Sequence, residues 1–524
     1  MEFIEVVEKE EFEYTGQIHD LNIDVDHTYN INGYAVHNSA AGSLVVHLLG
    51  ITKIDPIKYG LYFERFLNVK RLDPPDIDLD FDSKVKYKIE EYLKDRFGLN
   101  SVSHVISFGT FGIKNAIRDT FRVYYDTDEK DSVDRLSKCL ENDDDDFDAA
   151  LEKMIALEGS WAKNFIEAHK KQYDIARILV GKNRHYSMHA SGIVIAPDHL
   201  ERYIPIMKIK DQIATGYPEG GDVRLMTDAG LMKFDILGLN ACTIINDTLK
   251  NLNGTVNMDQ IVANDSDPKI LEQFTAANMF SIFQFEGKNI TKFAKRAKPK
   301  CFADLVAINA LYRPAVIQAG GLEMYVKNKE SFDEAEADKD PLLKILKETY
   351  SVIVYQEQTM RVFMELGGFT LAEADETRHI FKLLFKGKTD FTEFNHMMDK
   401  FRKGCHERTN YDDKKIDDIM ELMKQFSKYC FNKSHSCSYA MVAYIMMYLR
   451  TYHPLEYFSS LLSNTENTES AQDGKKVNLF QNYVTEIQKS FNIKIDKPDI
   501  NNSGADIFRI KDGGLTYALG HIKD

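Results

Sequence analysis

Residues 75–81 read PDIDLDF. In a strand, alternation puts Asp76, Asp78 and Asp80 on one face and Ile77, Leu79 and Phe81 on the other. Like charges this close repel and need a compensating cation, and hard carboxylate oxygens suit Mg2+. The solvated outer face of an edge strand would show the same pattern. A second stretch, GLMKFDILGL at 230–239, bears on the choice. Met232, Phe234 and Ile236 share one strand face there, and Lys233 and Asp235 share the other. An aspartate set among apolar residues is costly if buried without a partner. A third carboxylate beside an Asp-x-Asp pair is the donor set of a two-metal phosphoryl-transfer centre, where two ions stabilise the attacking and leaving oxygens. Lys233 on the same face would neutralise phosphate charge.

A third constellation is SAAGSL at 39–44. Small residues let backbone N–H groups approach a phosphate, and a helix that follows points its positive end there. Tight helix packing would use the same residues. Directly before it stands YAVHN, which reads as the end of something else, so two idioms meet at Asn38–Ser39 without a linker.

The elements that must position these residues follow from pattern. Residues 1–38 alternate short β-like runs with polar turns. The stretch 83–98 predicts a helix with Val85, Ile89, Leu93 and Phe97 on one face and Gly98 as its C-terminal cap. Residues 126–183 are acidic and helical in pattern, and the DDDD at 143–146 reads as a solvated loop. Strand-like runs return at SGIVIAP and GLMKFDIL, and helical patterns dominate from 244 on. SYAMVAYIMMYL at 438–449 is too short to span a bilayer, ends at Arg450, and reads as a buried core helix. A chain of 524 residues implies several domains, and its net charge of −15 argues against an all-over nucleic-acid-binding surface but not against a local basic groove. One such patch is KNITKFAKRAKPK at 288–300, which reads as a solvated helix face or a DNA-backbone contact. The six cysteines carry no CxxC pair, which fits reduced thiols and gives no zinc site. Met1 is followed by Glu2 and a mixed acidic stretch, which does not read as a signal peptide.

From residue 39 on, the chain resembles the polymerase core of bacterial replicative DNA polymerase III α subunits, the C family. The stretches SAAGSLVVHLLGITKIDPIKYGLYFERFLN, PDIDLDF, HVISFGTFGIKNAIRD, HASGIVIAP, GLMKFDILGL, FQFEG, VIVYQEQTM and FNKSHSCSYAMVAY stand in the family's order. The resemblance implies an α+β multidomain fold: a palm of the polymerase-β-like nucleotidyltransferase type with a mixed sheet, a helical thumb and large helical fingers. The implied boundaries are palm 39–107, thumb 108–188, palm again 189–243 and fingers 244–524. The family's catalytic, metal-binding carboxylates fall on Asp76, Asp78 and Asp235, which would hold two Mg2+ ions. Asp80 has no metal role in the family pattern. Nucleotide-contacting positions fall on Ser39, Arg65, Lys233, Arg313, Lys433 and His435. LYRPAVIQ departs from the family's Pro-Gly-Pro after the arginine. Implied partners are primer–template DNA and dNTPs, with the sliding clamp and other replisome subunits engaged through segments that the family carries beyond this stretch. The chain therefore reads as a middle piece of a cytoplasmic, membrane-free polymerase that begins inside a phosphate-binding motif.

Residues 1–38 resemble the C-terminal half of a split intein, a small all-β fragment that needs no cofactor. Asp20, His27 and Tyr29 match one terminal block of that family, and His37 and Asn38 are its terminal pair. Ser39 is the nucleophile that follows, and His19 departs from the family's usual tyrosine. The chemistry accounts for the residue types. Ser39 receives the upstream segment as an ester. The Asn38 side chain then attacks its own carbonyl and cuts the chain. His37 donates to that carbonyl, and His27 serves as acid or base. The implied partner is an upstream polymerase fragment carrying the N-terminal intein half. Two other readings remain: a non-covalent split polymerase with an inert intein remnant, and a non-catalytic nucleic-acid-binding fragment.

Overall fold

The computed structural model describes residues 36–67, 75, 77–124, 129–140, 146–218, 225–385, 391–427, 429–472 and 475–522. His19, Asp20, His27, Tyr29 and the β pattern expected around them lie outside the described residues, as does Asp76. Two compact units divide the chain: one runs up to Asn68 and resumes at Leu239, and the other is Val69–Gly238. Residues 39–68, expected in the palm, thus group with the C-terminal helical unit.

Val69–Gly238 is built on a mixed sheet. Its strands are β1 (Ile77–Asp82), β2 (Val102–Thr110), β3 (Asn183–Ile195), β4 (Ile206–Ile209), β5 (Gln212–Pro218) and β6 (Lys233–Leu239), in the order β1-β6-β3-β2-β5-β4. β2 runs antiparallel to β3 and parallel to β5, and β3 runs antiparallel to β6. Between β1 and β2 lies α1 (Lys86–Phe97), which buries Ile89 and Leu93. Gly98 ends it at φ 100°, a conformation that favours glycine, as the sequence predicts. Phe97, expected on the buried face, is 38% exposed because the helix ends there. Between β2 and β3 lie α2 (Ile113–Tyr124), α3 (Lys130–Lys138), α4 (Phe147–Ala168) and α5 (Lys170–Leu179). They close over a core of their own that includes Ile117, Phe121, Leu136, Met154 and Tyr173. Asp146, the last residue of the acidic run, caps α4 by accepting from the N–H groups of Asp148 and Ala149.

The other unit is mostly helical. Its labelled members are α6 (Asn240–Asn251), α7 (Lys288–Ala297), α8 (Phe302–Leu311), α9 (Gln356–Glu365), α10 (Phe391–Arg408) and α11 (Lys433–Tyr452). α11 is the expected core helix: Ala440, Met441, Tyr444 and Ile445 are buried against Leu305 and Ile308 of α8 and Ile244 of α6. Arg450, at the end of that apolar run, is also buried and donates to the Phe280 carbonyl at 2.6 Å. No helix among the described residues is long and apolar enough to cross a membrane. A second core gathers Phe363, Phe381 and Phe401. There Gly404 of α10 packs directly on backbone, and a Cβ at this position would lie 2.0 Å from the Gly367 carbonyl oxygen. Gly404→Ala should therefore force the two segments apart at a cost of about 1–3 kcal/mol, read as a lowered thermal midpoint. An unchanged midpoint would refute this packing.

Candidate active site

In the sheet unit, β6 carries Asp235 and is the hydrogen-bonded neighbour of β1, which carries Asp78. Neighbouring strands lie roughly 4.8 Å apart. Asp235 is 8% exposed and fully partnered: Lys233 Nζ donates to Oδ2 at 2.5 Å and Ser191 Oγ donates to Oδ1 at 2.8 Å. Burial alone would raise its pKa, but the hydrogen bonds from Lys233 and Ser191 outweigh burial and hold the carboxyl below its ordinary value. Gly192 stands opposite Asp235 across β3 and β6. A Cβ at Gly192 would come 3.0 Å from His189 Nδ1 and 3.2 Å from Lys233 Cδ, so glycine keeps this ladder position open. His189 Nδ1 accepts the Gly192 N–H at 2.8 Å, which puts the imidazole proton on Nε2. On β1, Asp78 is half-buried and Asp80 is 4% exposed, so the aspartate without a metal role in the family pattern is the enclosed one.

In the helical unit the small-residue turn forms a 3-10 segment, Asn38–Gly42. Ala40 and Ala41 are buried, and a Cβ on Gly42 would lie 2.8 Å from the Tyr62 carbonyl oxygen. Tight packing thus accounts for the small residues. The helix expected to aim its positive end at Ser39 is not the next one in sequence, Leu44–Leu48, which has only five residues. It is α11, whose N-cap Asn432 donates from Nδ2 to Ser39 Oγ at 3.0 Å. From there a chain of contacts joins the other expected residues of this unit. Lys433 N–H donates to both carboxylate oxygens of Glu357, at 3.1 and 3.0 Å, and Arg65 Nε stands 3.9 Å from Glu357 Oε1. Phe431 takes the His435 ring at 5.0 Å and the Arg313 guanidinium at 3.3 Å.

The five are not equally available. Arg65 is 5% exposed and bonds Asp375 at 3.2 Å and Gln356 at 2.5 Å. Lys433 Nζ donates to the Tyr59 carbonyl at 2.7 Å and to Glu348 at 2.8 Å. Burial pushes Glu357 upward, with Arg65 the main opposing influence. Arg313 differs: its Nε and Nη2 are buried with no hydrogen-bond partner among the described residues. Burial pushes its pKa down to about 10, which still leaves it charged at neutral pH. A charged fork with unspent donors is suited to an anion.

Sequence alone does not single out Ser191, Asn432 or Glu357. Asn432 had a local signal, an N-cap residue before an apolar helix. Ser191 and Glu357 had none, because their partners are distant in the chain. As for a metal, no group of three or more His, Cys, Asp or Glu among the described residues is placed to hold one. Asp76, one of the three expected ligands, lies outside those residues. In kind the donors fit Mg2+: Asp78 and Asp235 offer hard carboxylate oxygens on neighbouring strands, and Asp235 is held ionised.

A family model described as the bacterial DNA polymerase III alpha NTPase domain matches residues 8–238, and one described as the bacterial DNA polymerase III alpha subunit finger domain matches 241–409. The first match begins inside the segment that resembles an intein. The DNA polymerase III subunit alpha of Campylobacter jejuni is 36% identical over 498 residues, covering 93% of this chain and 39% of the relative. That of Borreliella burgdorferi is 35% identical over 504 residues, 95% of this chain and 41% of the relative. That of Aquifex aeolicus is 33% identical over 514 residues, 93% of this chain and 42% of the relative. The chain thus spans about two fifths of the length of the curated relatives it matches.

Proposed function

The chain belongs to the bacterial DNA polymerase III alpha subunit family, and we propose that it is the polymerase-core part of a template-directed DNA polymerase that becomes active once joined to an upstream part. The observation that carries this reading is Asp235, held ionised between Lys233 and Ser191 on a strand that neighbours the Asp78 strand. In the proposed reaction the primer 3′-oxygen bonds the α-phosphorus of a dNTP and the bond to pyrophosphate breaks. Two Mg2+ ions bound by Asp76, Asp78 and Asp235 would supply the Lewis acidity for both oxygens. Lys233 offsets phosphate charge beside Asp235. Ser39 and Arg313 would contact the triphosphate, with Lys433 and Arg65 joined to each other through Glu357 and His435 joined to Arg313 through Phe431. The proposed substrates are primer–template DNA and dNTPs, in the cytoplasm, with replisome subunits as further partners. Primer extension on a defined template, with and without Mg2+, tests the reading.

The segment 1–38 is proposed to be the C-terminal half of a split intein, which trans-splices the upstream fragment onto Ser39 and is released by cleavage after Asn38. Retention of His27, His37, Asn38 and Ser39 in register supports this. A second reading is favoured by the family match that starts at residue 8: these residues would belong to the polymerase itself and would not be excised. The mass of the chain after mixing with its upstream partner separates the two. Loss of residues 1–38 together with gain of the upstream segment supports splicing, and an unchanged mass in an active complex supports the second reading.

The basic stretch has a defined face. α7 buries Ile290, Phe293, Ala294 and Ala297 and leaves Lys288, Lys292 and Lys295 exposed at helical spacing, continued by Lys298 and Lys300. Arg296 is already engaged with Glu323 at 2.8 Å. If the lysine face lies on DNA backbone, replacing Lys288, Lys292 and Lys295 by glutamine should reduce the magnitude of the salt slope of DNA binding by roughly 2–3. An unchanged slope assigns these lysines to solvent.

A further inference from the structure

We propose that Asn432 is a positioning residue that sets the direction in which the Ser39 hydroxyl donates; the inference rests on reading Ser39 as a triphosphate contact and splicing nucleophile. The His435 N–H donates to Asn432 Oδ1 at 3.0 Å. A backbone N–H can only donate, so the amide atom facing it is oxygen. The other amide atom, 3.0 Å from Ser39 Oγ, is then Nδ2, which can only donate. Ser39 Oγ is therefore the acceptor, and its own proton is left for another group. The surroundings are polar, and the Lys433 N–H at this helix end already holds the Glu357 carboxylate. α11 presents its positive end at Asn432. Ser434, in its first turn, is fully buried with no hydrogen-bond partner for Oγ among the described residues. That oxygen would lie 3.4 Å from a Cβ on Gly42, so it borders the Ser39 turn.

A hydroxyl with one of its two lone pairs engaged by a donor and its proton unspent is set to donate to a phosphate oxygen. The same bond weakens the oxygen as a nucleophile, because an accepted hydrogen bond draws electron density from it and attack needs a lone pair and loss of the proton. In the splicing step, Ser39 Oγ bonds the carbonyl carbon of the upstream polypeptide's ester or thioester. The carbon–oxygen or carbon–sulfur bond there breaks, and the hydroxyl proton passes to the departing oxygen or sulfur. The Asn432 contact therefore favours the second role of Ser39 and slows the first. Transfer is fastest before residue 39 docks on α11.

Asn432→Asp tests this. It keeps an oxygen to cap α11 but turns the donor at Ser39 into an acceptor, so the hydroxyl donates to the carboxylate and no longer to phosphate. Two readouts should move in opposite directions. Binding of dATP to the chain in Mg2+, by calorimetry, should weaken about tenfold or more. Formation of the branched ester after adding the upstream half should speed up, with the thermal midpoint close to that of the parent chain. Unchanged dATP affinity overturns the proposal, and so does a loss in both readouts, which would make Asn432 merely structural. Should the parent chain form no branch at all, the splicing reading falls, and the dATP comparison alone decides for or against Asn432.

Discussion

Asp235→Asn should cut nucleotide incorporation by roughly 10²–10³-fold or more, beyond the loss of stability from leaving Lys233 without its counter-charge. The substitution keeps the shape of the side chain and an oxygen for the Ser191 hydroxyl. It removes the charge that Lys233 faces at 2.5 Å and that a divalent ion would need. The same loss is expected for Asp76→Asn and Asp78→Asn in the joined polymerase, measured as single-nucleotide primer extension at saturating DNA. Asp80→Asn should separate from these three. Asp80 is 4% exposed, so its replacement should appear in the thermal midpoint more than in turnover. Near-normal turnover in any one of the first three would remove that residue from the metal set. If Asp80→Asn were the most damaging of the four for turnover, the register of the strand would have been misread.

How far such residues can be read from sequence depends on how local their partners are. Gly98 and the α11 core helix follow from spacing alone, because a cap and an apolar run are properties of consecutive residues. The pairing of Asp235 with Lys233 is also local, since the two share a strand face. Its other anchor is not, for Ser191 sits on β3 and meets Asp235 only through the β3–β6 register. Arg65 shows the same limit. Its motif implies a nucleotide contact, whereas the fold encloses it among Gln356, Glu357 and Asp375, hundreds of residues away. The grouping of residues 39–68 with the helical unit has a related cause. Asn432 of α11, not a neighbour in sequence, holds Ser39. Arg313 is the reverse case: the motif named it, and the fold leaves its Nε and Nη2 buried without a hydrogen-bond partner among the described residues.

Asn38→Ala should stop excision while sparing the step before it. The Asn38 amide is the proposed nucleophile for cyclisation, so alanine leaves nothing to cut the chain after residue 38. Transfer of the upstream segment onto Ser39 still proceeds, and a branched ester should accumulate as a higher-mass species that hydroxide or hydroxylamine cleaves. Ser39→Ala should abolish that branch, because no hydroxyl remains to accept the acyl group. Ser39→Cys should restore splicing, since a thiol is at least as good a nucleophile. The restored product would carry a weak hydrogen-bond donor next to Asn432 and the first turn of α11. Its KM for dNTP should therefore rise while its ligation yield stays high. That split is the signature of one residue serving two chemistries in succession, because a serine needed only for splicing would leave KM untouched. Normal ligated product from Asn38→Ala, measured by mass spectrometry, would sink the intein reading of residues 1–38 and leave the family match from residue 8 as the better account of that segment.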